Sequence, residues 1–229
     1  MRTDRMDYEF SHDPSYTLGT ARLENGEAIT VESGSMVSYS EHVEMETHSS
    51  SGGLLSSVKD SMLSGEQLFR NTFTATANRQ TVQFAHTQPG DMRALELAGE
   101  SVYVQSGSYV ANGPGIETDS VSGGFDSLLG GKGLFVLEAS GTGDLFVGSY
   151  GGIVERELEQ GEQVTIDAGH SVAWDESVEF STHRVGGLKK TMLSGEGFVM
   201  TFSGPGRVFL QTRDYDSLLA DISANIDPE

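Results

Sequence analysis

The stretch that decides the fold is Gly26-Glu-Ala-Ile-Thr-Val-Glu-Ser-Gly34-Ser-Met-Val37, because the chain carries it three times. The second copy is Gly99-Glu-Ser-Val-Tyr-Val-Gln-Ser-Gly107-Ser-Tyr-Val110. The third copy is Gly161-Glu-Gln-Val-Thr-Ile-Asp-Ala-Gly169-His-Ser-Val172. The two glycines keep the same spacing in every copy. An ordered motif that recurs in this way indicates internal repeats.

Each copy alternates apolar and polar residues, as half-buried β-strands do. The apolar positions are Ile29 and Val31, Val102 and Val104, and Val164 and Ile166. We expect a tight turn with positive φ at the glycine that follows each strand, namely Gly34, Gly107 and Gly169. Short strands separated by glycine-rich turns are typical of an all-β sandwich or barrel.

Each copy is followed by a second element, an aromatic strand that begins near Phe69, Phe135 or Phe198. We therefore predict one compact domain over 1–229 that contains three repeats, at about 8–90, 91–155 and 156–213. A single repeat would expose its strand edges, so we expect the three repeats to share sheets or to pack closely together.

Two segments have helical rather than β spacing. In the segment 51–62 the apolar residues are Leu54, Leu55, Val58 and Met62. This segment is interpreted as a helix that caps the β core, as an exposed patch for a protein partner or membrane surface, or as disordered. The segment 214–229 is predicted to form a C-terminal helix and tail, with Asp214 or Asp216 as the N-cap.

The composition excludes several classes of protein. The 229 residues include 34 acidic and 14 basic side chains, a net charge of −20, and no cysteine. Disulfide frameworks and thiolate sites are therefore excluded. Nucleic-acid binding is not expected, because it depends on Lys and Arg that neutralise phosphates. We find neither a signal peptide nor an apolar run long enough to span a membrane, and predict a cytoplasmic protein.

The repeated Gly-Glu strand–turn unit, the Gly65-Glu66 and Gly195-Glu196 elements, and the segment 208–213 together resemble the altered-inheritance-of-mitochondria twenty-four family. The resemblance spans about Tyr8 to Ile226. It implies a fold like that of the tryptophan RNA-binding attenuation protein, a short double-stranded β-helix, with three such units per chain. It also implies homo-oligomers, namely trimers. The family's biochemical activity is not established, and its mitochondrial member is linked to inner-membrane organisation.

The stretch from His42 to His48 is the candidate metal site. Alternate side chains of a strand share one face, so His42, Glu44, Glu46 and His48 would line the same side. Their nitrogen and oxygen atoms suit Zn²⁺, Mn²⁺ or Fe²⁺. However, they extend along roughly 20 Å of strand, which is too far to converge on one ion without help from neighbouring strands. The other interpretation is a solvated acidic face.

These observations favour a non-enzymatic oligomeric scaffold or interaction protein without a cofactor, with a possible link to membrane organisation through the family resemblance. The alternative is a β-helix protein that binds a small molecule or a metal ion through the residues just described. The expected partners are further copies of the chain, in a trimer, and a protein or membrane surface.

The scattered acidic residues predict adaptation to a salt-rich cytoplasm, because molar salt screens charge repulsion within about 3 Å. We expect the melting temperature to rise between low-salt buffer and molar KCl. Thermal melting followed by circular dichroism measures this change. Equal stability in the two buffers would contradict the hypothesis.

Overall fold

The computed structural model describes residues 5–49, 69–121, 135–184 and 198–226. Within these ranges the strands form sheets of four, ten and three strands, and one α-helix lies near the C-terminus. The fold is all-β with sandwich-like sheets, which confirms the predicted fold class. The finer predictions, a fold like the tryptophan RNA-binding attenuation protein and a division into three repeats, stay predictions.

The first stretch of chain, 7–84, contributes the four-stranded sheet and one end of the ten-stranded sheet. Its strands are β1 (Asp7–Ser11), β2 (Leu18–Leu23), β3 (Ala28–Glu32), β4 (Met36–Tyr39), β5 (Val43–Ser49), β6 (Phe69–Ala75) and β7 (Gln80–Phe84). All pairings are antiparallel: β2 lies between β1 and β7, β4 pairs with β7, and β6 lies between β3 and β5.

The second stretch, 92–148, forms the middle of the ten-stranded sheet with two long strands. Its strands are β8 (Met92–Gln105), β9 (Tyr109–Asn112), β10 (Ile116–Ser120) and β11 (Val136–Gly148). The strands β8 and β11 pair along their whole length, with a register shift between Ser140 and Thr142. At this irregularity Gly99 has a φ of 114°, a conformation that side chains other than glycine rarely adopt.

The third stretch, 153–211, forms the other end of the large sheet and the three-stranded sheet. Its strands are β12 (Ile153–Leu158), β13 (Gln163–Asp167), β14 (Ser171–Asp175), β15 (Glu179–Arg184), β16 (Phe198–Ser203) and β17 (Gly206–Gln211). The strand β17 lies between β12 and β14, and β16 lies between β13 and β15.

Two backbone pairings between neighbouring stretches, which we call seams, join the molecule. In the first seam β3 of the first stretch pairs with β9 of the second. In the second seam β8 of the second stretch pairs with β14 of the third. The sharing of sheets that the sequence predicts is therefore present at both junctions.

The predicted glycine turns are right at one position and wrong at two. Gly34 has a φ of 96°, as expected. Gly107 and Gly169 instead lie in the short 3-10 turns Ser106–Ser108 and Ala168–His170, which use the ordinary right-handed conformation. At Gly169 the constraint is space, because a Cβ atom would lie 2.8 Å from Cγ of Asp214.

The helix α1 (Tyr215–Asn225) confirms the C-terminal helix and its cap. The Asp214 carboxylate accepts hydrogen bonds from the backbone N–H groups of Asp216 and Ser217, at 3.1 and 3.2 Å. The ring of Tyr215 contacts Tyr150, with ring centroids 5.7 Å apart. No helix in the described ranges is long and apolar enough to cross a membrane. The helix predicted over 51–62 lies outside the described residues.

An aromatic cluster around Phe146 joins the four-stranded sheet to the ten-stranded sheet. The centroid of the Phe146 ring lies 4.9 Å from that of Tyr8, 5.0 Å from that of Phe84 and 6.1 Å from that of Phe10. In all three pairs one ring meets the other edge-on. Phe146 is fully buried. Such ring pairs stabilise a fold beyond the effect of their buried area.

We expect Phe146→Ala to lower the free energy of unfolding by about 3–5 kcal/mol, because it leaves a cavity in this cluster. Urea denaturation followed by tryptophan fluorescence measures the change. The control is Val154→Ala at an exposed side chain, which should change stability by less than about 0.5 kcal/mol. Equal effects of the two substitutions would show that the cluster does not stabilise the fold.

Candidate functional site

The predicted metal-binding side chains lie on and just before β5, which among the described strands pairs with β6 alone. His42, Glu44, Glu46 and His48 are all exposed to solvent. Nε2 of His48 lies 4.0 Å from Oε2 of Glu46. In the described ranges no group of three or more His, Asp or Glu side chains is placed to hold a metal ion. The metal site stays a prediction.

The glutamate that follows the first glycine of each copy has the same structural role three times. Glu27 accepts a hydrogen bond from the backbone N–H of Glu24, and Glu100 accepts one from Ala98. Glu162 accepts one from Glu159, at 3.1 Å. The bonds of Glu27 and Glu162 close the turns before β3 and β13, and the bond of Glu100 lies at the irregularity within β8. The Gly-Glu pair therefore has a structural role in each copy.

A buried carboxylate, Asp91, lies just before β8 and close to the beginnings of β2 and β12. Its oxygens accept hydrogen bonds from the Thr17 hydroxyl and from the backbone N–H of Ile153, both at 3.4 Å. Nε of Arg93 lies 3.9 Å away. Because these partners come from all three stretches, Asp91 holds the three stretches together.

Two further polar groups, the buried Tyr109 and the half-buried Glu32, lie beside the first seam. The Tyr109 hydroxyl, fully buried, donates a hydrogen bond to Oδ1 of Asn112 at 2.5 Å. Burial raises the pKa of Tyr109. Burial also raises the pKa of Glu32 to about 7, and a weak hydrogen bond from Ser35 opposes that shift. No local pattern in the sequence indicates either group, because their burial depends on the pairing of β3 with β9.

A small polar cavity of about 80 Å³ lies between the turn at Gly169 and the first turn of α1. Gln105, which lines it, has a buried Oε1 atom without a hydrogen-bond partner among the described residues. Asp214, also in the lining, caps the helix. Pockets for organic ligands measure about 300–1,000 Å³, so this cavity is too small for a typical substrate.

A larger groove of about 500 Å³ is lined by acidic residues and one arginine. The Arg207 guanidinium donates to both oxygens of Asp175, at 3.0 and 2.9 Å, and this pairing raises the pKa of Arg207. The remaining charged side chains in the lining, Glu100 and Glu176, are acidic. The groove therefore has no basic group left to bind an anionic substrate.

The exposed apolar surface is more informative than the cavities. On β4 the side chains of Val37 and Tyr39 are 54% and 45% exposed, and we call these two residues the β4 surface. Among the described strands β4 pairs with β7 alone, so its other edge is unpaired. An unpaired edge that carries large apolar side chains is a site for strand pairing with another chain.

Comparison with known proteins gives a consistent result. A model of the family described as mitochondrial biogenesis AIM24 matches residues 8–213. An uncharacterized protein of Streptococcus pyogenes serotype M6 is 30% identical over 222 residues, which cover 93% of this chain and 88% of that protein. The X-ray crystal structure of a protein from Streptococcus pyogenes matches with a TM-score of 0.81 and 27% identity, and covers 97% of this chain and 100% of that one.

The raised pKa of Glu32 predicts a specific pH dependence of stability. Below pH 4.5 the carboxyl is protonated in the folded and unfolded states alike. Between pH 4.5 and about 7 the unfolded chain loses this proton first, so the contribution to stability falls as the pH rises. Glu32→Gln should therefore match the wild type at pH 4 and exceed its stability by on the order of 2 kcal/mol at pH 8.

Urea denaturation at both pH values measures this difference. Glu44→Gln, which removes the same charge from an exposed side chain on β5, is the matched control and should change stability by less than about 0.5 kcal/mol. A constant difference between Glu32→Gln and the wild type across the pH range would contradict the assignment.

Proposed function

The chain belongs to the mitochondrial biogenesis AIM24 family, and we propose that it is a non-enzymatic scaffold that works as a homo-oligomer, a trimer by the family resemblance. The observation that carries the proposal is the β4 surface. Burying an apolar side chain the size of valine stabilises an interface by about 1.5–3 kcal/mol. A second copy of the chain is a partner that is present wherever this protein is made.

The environment of the ionisable groups supports a scaffold rather than an enzyme. Asp91 holds strand ends together, and Arg207 is paired with Asp175. Arg22 forms an ion pair with Glu9 at 2.6 Å on the outside of the sheet. Each of these groups forms a hydrogen bond or an ion pair within the chain, which supports a structural role rather than that of a catalytic acid or base.

A scaffold also needs a surface for other proteins, and α1 offers one. Its residues Leu219 and Ile222, together with Ile226 at its end, are exposed and lie at helical spacing. The acidic residues Asp216 and Asp221 lie on the same helix, which has no basic residue in its last turn. These features suit a protein partner whose groove is apolar with a basic rim.

We expect size-exclusion chromatography with light scattering to give a multiple of the 24.5 kDa chain mass for the wild type, and three copies specifically. Val37→Asp should reduce this mass to that of one chain, because it places a charge in the buried interface. The side chain is exposed in the single chain, so the variant should keep its fold by circular dichroism.

The matched control is Val154→Asp, which introduces the same charge at an exposed valine on β12 and should leave the mass of the oligomer unchanged. A wild type that has the mass of one chain at all concentrations would refute the proposed function.

A further inference from the structure

The first seam shows how one stretch of the chain completes its neighbour. In this seam Thr30 lies opposite Asn112 and Val31 lies opposite Ala111, in antiparallel pairing. The hydrophobic core beneath β3 contains Val110 and Ala111, which belong to the second stretch. The second stretch thus supplies both a backbone partner and core side chains to the first.

The second seam has the same construction. Val104 lies opposite Ala173 and Tyr103 lies opposite Trp174, again antiparallel. The core beneath β8 contains Val172 and Ala173 from the third stretch. Each seam therefore joins the first strand of one copy of the motif to the strand that follows the turn in the next copy.

The two seams also share one register when positions are counted along the motif. Val31 and Val104 both lie five residues after the first glycine of their copy. Ala111 and Ala173 both lie four residues after the second glycine of theirs. The repeated sequence thus specifies which residues face each other.

This arrangement leaves one unpaired half of a seam at each end of the chain. Among the described strands β13 pairs only with β16, and β4 pairs only with β7. By position in the motif, Ile166 corresponds to Val31 and Val104, and Ser38 corresponds to Ala111 and Ala173. The chain carries both halves but does not pair them with each other.

The side chains at these unpaired positions are more exposed than the corresponding side chains in the two seams. Val110 and Val172 are fully buried in the two seams, whereas Val37, the corresponding residue, is 54% exposed. On the other half, Val164 and Ile166 are only half-buried, although the corresponding valines and isoleucine on β3 and β8 are at most 1% exposed. The third core, beneath β13, contains no residue from a following stretch.

The geometry points to a third seam between molecules: we propose that β13 of one copy pairs antiparallel with β4 of the next. Ile166 then lies opposite Ser38 and Thr165 lies opposite Tyr39, while Val37 enters the core beneath β13. Asp167 is the only residue of the two strands charged at neutral pH, so the acidic chain meets little repulsion here. The inference rests on the proposed homo-oligomer and names its interface.

Such an interface is head-to-tail, because its two halves are different strands. A head-to-tail contact closes into a ring when the rotation between copies permits, and otherwise builds a filament. Cross-linking can test such a contact. A cysteine on β4 of one copy should react with a cysteine on β13 of another copy, and two cysteines on β4 of two copies should not react with each other.

Because the chain has no cysteine, an introduced cysteine can form a disulfide only with another introduced cysteine. Chains carrying Ser38→Cys and chains carrying Ile166→Cys, with different tags, are co-expressed, purified under reducing conditions and then oxidised. Directly opposite residues of paired strands have Cβ atoms about 4.5–5.5 Å apart, close enough for a disulfide after small adjustments. We expect a disulfide-linked dimer that contains both tags, and no dimer from either variant alone.

The matched control pair is Met45→Cys with Val154→Cys, two exposed residues on β5 and β12, which also have unpaired edges. We expect this pair to cross-link several-fold less. Each variant is checked by light scattering under reducing conditions, where it should have the mass of the wild type.

The outcomes separate the two proposals. The third seam would be overturned if Ser38→Cys cross-linked by itself, or if the control pair cross-linked and the Ser38 and Ile166 pair did not. The proposed function would still stand in that case if the wild type were oligomeric. A wild type with the mass of one chain would overturn both. A mixed-tag dimer formed only by the Ser38 and Ile166 pair supports the third seam.

Discussion

Backbone pairing across the seams is the constraint on which the described structure depends. The strands β3 and β8 each have one edge that their own stretch does not pair, and an unpaired edge in a sheet leaves polar backbone groups without partners. The following stretch supplies both those partners and buried side chains such as Val110 and Val172. Sheet formation and core formation are therefore the same event in this molecule.

The sequence predicted those parts of the fold that depend on local pattern. The alternation at Ile29 and Val31 gave a buried strand face, and Asp214 before an apolar helical pattern gave a capped helix. It was wrong about Gly107 and Gly169, because a glycine between strands also fits a 3-10 turn. At Gly169 the neighbouring Asp214 leaves no room for a Cβ atom.

The sequence predicted much less of the candidate site than of the fold. A run of His and Glu on one strand suggested a metal site, but whether such residues converge depends on neighbouring strands, and β5 has a neighbour on one side only among the described strands. The importance of Val37 was equally hidden, since the valines at the same motif position are buried and nothing local distinguishes them. Only the sheet order shows which copy of the motif lies at an end.

The position of Asp91 has a consequence for how the molecule unfolds. One buried side chain holds the beginning of β2 through Thr17 and the beginning of β12 through Ile153, while its own backbone begins β8. In solenoid proteins a terminal unit can melt by itself, since each unit contacts only its neighbours. Here the first and third stretches donate hydrogen bonds to the same carboxylate, so detaching either one breaks a buried hydrogen bond to it, and we expect the chain to unfold cooperatively.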